Sequence, residues 1–147
     1  MKLNKLIQLY IKKFNKVGLN NPLNEIRYLI KEKINLPLLK QITEDNIILE
    51  YKEEIKLKSI LDRRLKREPV DRIINKKEFR NIKLNLNKYT FSPRPETEIL
   101  IDIIIENKIV PKRILELGTG SGAISIALLK EFPNSKVIAT DINIKAL

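Results

Sequence analysis

Three of the four glycines in this chain fall within five residues, at Gly118, Gly120 and Gly122, in the stretch GTGSGA that follows the apolar run RILEL. A glycine-rich turn between a strand and a helix presents unpaired backbone N–H groups and admits a ligand where a Cβ would otherwise stand. Thr119 and Ser121 fill the intervening positions, and Ala123 completes the relaxed form of the dinucleotide fingerprint. The lysine of a phosphate-cradling P-loop is missing. Asp141 closes the next apolar run, KVIATD, at the distance where a carboxylate accepts both hydroxyls of a ribose. Up to this point a nicotinamide cofactor and an adenosyl cofactor fit equally well.

Glu116 separates the two. It lies two residues before Gly118, so its carboxylate is expected at the rim of the cradle, where a pyrophosphate would be repelled by an amount on the order of a few kcal/mol. S-adenosyl-L-methionine carries no phosphate, and its ammonium and sulfonium groups are attracted to the same place. A dehydrogenase reading is therefore disfavoured by one residue. Upstream stands SPRPETEIL, whose two prolines forbid helix and hold the chain extended until Glu96 or Thr97 opens the next helix.

The elements that must carry these residues change period partway along the chain. Leu3, Ile7, Tyr10, Ile11, Phe14 and Val17 recur at helical spacing up to Gly18. Pro22 starts a second apolar face at Leu23, Ile26, Leu29, Ile30 and Ile34, and LPLLKQI makes a short third piece. After TEDN, which can cap a helix start, IILEYKEEIKLKSILDRRLKRE reads as one long amphipathic helix with basic residues at its far end. Residues 1–75 are thus expected to form a helical bundle. Ile82, Leu84 and Leu86 then alternate with Lys83, Asn85 and Asn87, so 76–92 is expected to be a β-hairpin linker. Over 93–147 the order is a near-continuously apolar helix expected to be buried, the strand RILEL, the glycine turn, a helix, the strand KVIAT, and a further helix beginning at INIKAL. The predicted fold class is α+β: a helical bundle, a hairpin connection, and the first βαβ unit of an incomplete Rossmann-like sheet.

Composition narrows the chemistry. With no cysteine and no histidine, disulfides, thiolate or imidazole metal sites, cysteine nucleophiles and histidine triads are excluded, and no metal is expected. Lysines recur through the opening MKLNKLIQLYIKKF, which leaves no uninterrupted apolar stretch for a signal core or a membrane span, so a cytoplasmic protein is expected. The net charge of +11 fits a nucleic-acid or ribosome-facing surface. Compositional drift weighs more: lysine supplies 21 of the 29 basic residues, isoleucine (25) and asparagine (14) are equally abundant, and no aromatics interleave the lysines to stack on bases.

LELGTGSGAISIAL followed by VIATDI resembles the first two motifs of class I S-adenosylmethionine-dependent methyltransferases, and PRPETE resembles the signature of their HemK-type branch, the peptide chain release factor glutamine methyltransferases. LDRRLKREPVDRIINKKEFRNIKL is similar to the segment joining that family's helical and catalytic domains, so the resemblance runs from about Leu61 to Leu147. It implies transfer of a methyl group from S-adenosylmethionine to the side-chain amide of the glutamine in the GGQ loop of a release factor, with residues 1–75 as the substrate-recognition domain. Carried over by position, Gly118 to Gly122 would line the methionine end of the cofactor, Asp141 would hold the ribose, and Glu116 would sit near the ammonium. Arg94, Glu96 and Thr97 would organise the pocket wall; the plainer reading is a proline-stiffened connection with Thr97 as helix cap. Two positions depart from the pattern: Ser92 replaces an apolar residue, and Asn75 stands near a family glycine.

The same resemblance exposes a gap. The family orients the poorly nucleophilic amide nitrogen with an Asn-Pro-Pro-Tyr segment, and none occurs here; the one Asn-Pro pair, Asn21-Pro22, reads as a helix start. The expectation is the amino-terminal portion of such an enzyme, with the cofactor cradle and no catalytic residue, inactive alone. The alternatives are an RNA methyltransferase of the same fold, favoured by charge and disfavoured by PRPETE, and a non-catalytic helical module that binds a translation factor.

Overall fold

The computed structural model describes residues 1–146 and divides into two compact units, Met1–Ile74 and the residues from Asn75 onward. The first unit is helical: α1 (Leu3–Lys16), α2 (Pro22–Ile34), α3 (Leu38–Thr43), α4 (Tyr51–Leu65) and α5 (Val70–Ile74). Leu3, Leu6, Ile7, Tyr10 and Phe14 form the buried stripe of α1, and Ile26, Leu29 and Ile30 that of α2. Gly18, at φ +66°, ends α1 in a Schellman turn: the Leu19 N–H donates to the Phe14 carbonyl and the Gly18 N–H to that of Asn15, both at 3.0 Å. Leu57, Ile60, Leu61, Ile73 and Ile74 close the core from α4 and α5. Within it the Tyr10 hydroxyl donates to Asp62 Oδ1 at 2.8 Å, and burial, then Asp62, push the phenol far above its ordinary range.

Two boundaries in this unit differ from the sequence reading. The helix expected after TEDN begins only at Tyr51, because Ile47–Leu49 runs extended against the chain start: the Leu3 N–H donates to the Ile47 carbonyl at 2.9 Å and the Leu49 N–H to the Met1 carbonyl at 3.0 Å. Glu50, not the TEDN cluster, sits at the cap, where its N–H donates to Glu53 Oε2 at 3.0 Å. The same helix stops at Leu65, short of the expected end at Glu68, because Arg67 turns into the left-handed region; α5 starts separately after Pro69.

The second unit opens with a hairpin, β1 (Lys76–Phe79) and β2 (Ile82–Asn85), paired antiparallel with Phe79 opposite Ile82. Its two-residue turn, Arg80-Asn81, has both residues at positive φ, as a tight hairpin requires. Asn75 also lies at φ +59°, so asparagine meets the backbone demand that glycine meets near this position in the family pattern. Phe79 and Leu84 point into a core shared with Ile101, Ala123, Ala127 and Leu128, so the hairpin packs as part of this unit. Arg80 reinforces it by pairing with Asp102 and, at 3.3 Å, with Glu131.

Next come α6 (Glu96–Glu106), β3 (Arg113–Leu117), α7 (Ala123–Glu131) and β4 (Lys136–Thr140). The two strands are parallel, Arg113 opposite Lys136 through Leu117 opposite Thr140, which is the expected strand, glycine turn, helix, strand order. The predicted α+β fold class holds. Two details do not. Only Ile101 of α6 is buried, while Ile99, Leu100 and Ile103 stand about half exposed, because one stripe of the helix has packing partners and its apolar residues run all round. The expected helix at INIKAL is instead a bend at Ile142 and a single turn over 144–146, closed by the Ala146 N–H donating to the Asn143 carbonyl at 2.8 Å; Leu147 lies outside the described residues.

Candidate cofactor site

A cavity of about 580 Å³ opens where β3 and β4 end, within the size range of small-molecule sites. The segment Tyr89–Arg94 and Thr97 form one wall, the glycine turn a second, and Asp141, Ile142 and Asn143 a third.

Glu116 is bound into the turn by three donors. Its Oε2 accepts from the Thr119 hydroxyl at 2.8 Å, from the Ser125 N–H at 3.1 Å, and from the Ser125 hydroxyl. Ser125 is the third residue of α7, so the carboxylate of the preceding strand satisfies one of the N–H groups left unpaired at a helix start and complements the positive end of its dipole. Anchoring of this kind explains why Thr119 and Ser125 are buried. The N-terminus of α7, where a pyrophosphate would otherwise bind, already holds a carboxylate of its own.

Asp141 ties the turn to the second strand. Its Oδ1 accepts from the Asn143 N–H and its Oδ2 from the Gly120 N–H, each at 2.8 Å. Those two bonds, Asn143 first, hold the carboxyl below the usual aspartate range. Each oxygen keeps lone-pair capacity for a further donor such as a ribose hydroxyl.

The glycines suit a close ligand. Gly118 and Gly120 lie at φ +74° and +55°, and a Cβ built on either meets nothing within 4 Å, so the backbone faces open space. Gly122 differs: it is the N-cap of α7, absent from the cavity lining, and an added Cβ would stand 3.2 Å from Ile126 Cδ1. Thr119 and Ser121 line the cavity with their neighbours. Arg94 and Thr97 also line it, whereas Glu96 is an exposed first residue of α6 outside the lining. Thr97 does not cap α6. Pro95 holds that place, and the Thr97 N–H donates to the Arg94 carbonyl at 3.0 Å.

Sequence reasoning missed Tyr89, Phe91, Asn143 and Ser125. The first two precede the PRPETE signature and show no periodicity, and the other two act through backbone-directed bonds that no motif spells out. The lining thus combines a glycine backbone open to close approach, two fixed carboxylates and apolar side chains. The unpaired N–H groups expected of the turn are not found: those of Gly118 and Thr119 donate to the Thr140 carbonyl, that of Gly120 to Asp141 and that of Gly122 to the Thr119 carbonyl. Among the described residues no acidic cluster capable of holding a metal is formed, and no helix is long and apolar enough to cross a membrane.

Residues 5–74 match the family described as PrmC N-terminal domain, and residues 94–147 match the methyltransferase small domain. A bifunctional methyltransferase of Rickettsia bellii is 37% identical over 163 residues, covering 92% of this chain and 29% of the relative. Release factor glutamine methyltransferases of Agrobacterium fabrum and Haemophilus influenzae are 34% and 44% identical, covering 92% and 59% of this chain and 49% and 32% of their own lengths. The chain therefore spans less than half the length of these relatives. A PrmC N-terminal domain followed by methyltransferase small-domain sequence is the pairing to which its motifs pointed, and over most of its length the chain is similar to proteins named release factor glutamine methyltransferase and bifunctional methyltransferase.

Proposed function

We propose that this chain supplies the S-adenosylmethionine cradle and the substrate-facing helical domain for methylation of a glutamine side-chain amide in a peptide chain release factor. The observation that carries the cofactor assignment is the Glu116 carboxylate seated on the first turn of α7, where it takes the N–H that a pyrophosphate would need. Repulsion of a phosphate placed about 4 Å away is on the order of 4 kcal/mol at an intermediate effective dielectric. Asp141 then has the geometry to receive the ribose hydroxyls, and Gly118 and Gly120 the openness to receive the methionine end. Arg94 and Thr97 would form the wall beneath it; Glu96, exposed at the start of α6, would act only through the helix it opens.

When bound, S-adenosylmethionine supplies a methyl group made electrophilic by its sulfonium. The described residues named above would bind and orient that donor, and none among them is assigned to the acceptor amide. Release factor as acceptor is supported by the names of the relatives. Residues 1–75 would recognise it, the hairpin segment 76–92 would connect, and 93–147 would hold the cofactor. Without an Asn-Pro-Pro-Tyr segment the chain alone is expected not to turn over.

Calorimetric titration of the purified chain with S-adenosylhomocysteine and with NAD tests the cofactor reading. Binding of the first and not the second is expected, with Glu116→Gln weakening it. NAD binding without adenosyl binding overturns the assignment. Incubation with release factor and methyl-labelled S-adenosylmethionine tests inactivity, and clear turnover refutes it.

A further inference from the structure

Two walls of the cavity are joined by a hydrogen-bonded path that no motif announces. Asn87 folds its own segment into a turn: its Oδ1 accepts from the Tyr89 N–H at 2.8 Å and the Thr90 N–H at 3.1 Å, and buried Thr90 returns a hydroxyl to the Asn87 carbonyl at 3.1 Å. The Nδ2 of the same side chain donates to the Lys145 carbonyl at 2.9 Å, across 58 residues of sequence. From there the path continues locally. The Lys145 N–H donates to Asn143 Oδ1 at 3.1 Å, the Asn143 N–H to Asp141 Oδ1, and the Gly120 N–H to Asp141 Oδ2. Lys145 also places its ammonium 5.2 Å from the centre of the Tyr89 ring, a second tie between the same two segments.

We infer that Asn87 is a positioning residue for the cofactor: by holding the Asp141–Lys145 loop to the Tyr89–Arg94 wall, it sets the orientation of the Asp141 carboxylate. The inference rests on the assignment of Asp141 to the cofactor's ribose. The physical need is clear from the loop itself. Ile142 and Ile144 are fully or largely exposed, so within 142–146 apolar burial is confined to Ala146, and directed bonds hold the rest of the loop. An asparagine is required because the turn uses the acceptor oxygen and the latch uses the donor nitrogen.

Asn87→Asp separates those two uses, since aspartate closes the same turn and cannot donate to Lys145. In the ligand-free chain, the variant is expected to raise amide hydrogen exchange across residues 142–146 while leaving residues 3–16 unchanged. Affinity for S-adenosylhomocysteine is expected to fall roughly fivefold, the size of one hydrogen bond. In an Asp141→Asn background the same substitution should change affinity no further, because its effect passes through that carboxylate. Unaltered exchange at 142–146, or an equal loss of affinity in both backgrounds, overturns the inference. A wild-type chain that binds no adenosyl compound overturns the cofactor reading instead, and the exchange measurement still reads the latch.

Discussion

Two nearly equal stretches of chain are built on different principles. Among the described residues, the helical unit gathers fifteen buried residues into one core, and the second unit gathers six. The helical unit orders itself by burying apolar stripes. The second unit leaves Leu115 and Leu117 of β3 and Ile138 of β4 more than half exposed, yet holds its glycine turn with bonds from backbone and hydroxyl groups to Glu116 and Asp141. A turn can therefore be locally well defined inside a weakly cored unit, because short-range hydrogen bonds do not depend on a large apolar core.

The largest effect belongs to the larger core. Phe14→Ala empties a fully buried ring packed edge-on to Tyr10 at 6.3 Å, and should cost about 3–5 kcal/mol in urea unfolding followed by circular dichroism. A loss below about 1 kcal/mol would break the contrast between the units. Ile101→Ala removes the one buried side chain of α6 and should cost about 2 kcal/mol, at the low end for such a truncation because its neighbours Leu100 and Ile103 are half exposed and free to relax. Hydrogen exchange in α6 reads this, and a cost equal to that of Phe14→Ala would show that the second unit is better packed than described.

Gly122→Ala puts a Cβ into the left-handed region and against Ile126, and should cost about 1–2 kcal/mol, with Gly120→Ala costing less because its Cβ meets nothing. Equal melting of the two variants would remove the distinction between a helix-cap glycine and a cradle glycine.

Acid should release the turn late. Asp141 has a folded value below its unfolded one, so its contribution is fully present above the ordinary aspartate pKa of about 4 and is lost as pH falls through the depressed value. The amide shifts of Gly120 and Asn143 should stay flat from neutral pH to about 4 and move only below it; movement near pH 6 would contradict the assignment. Smallest of all, Ile142→Ser at a fully exposed position should alter stability by less than about 0.5 kcal/mol.

Periodicity located α1 and α2 because each buries one apolar stripe, and Pro22 and Gly18 marked turns that depend only on neighbouring residues. It failed at Ile47–Leu49, whose extended path answers to Met1 and Leu3, some 45 residues away in sequence. It also mistook apolar character for burial in α6, where composition states what a helix can bury and its partners state what it does.

At the site, residue types and spacing were enough to place the glycine turn, Glu116 and Asp141 in one neighbourhood, since a strand, a tight turn and a helix are local structures. The fold alone assigned Glu116 to Ser125 and the helix start, left Glu96 outside the cavity, and brought Asn87 to Lys145. Those are matters of direction and of meetings between distant segments, and a linear pattern carries neither: a hydrogen bond forms only where donor and acceptor arrive within about 3 Å and aligned, which three-dimensional packing decides.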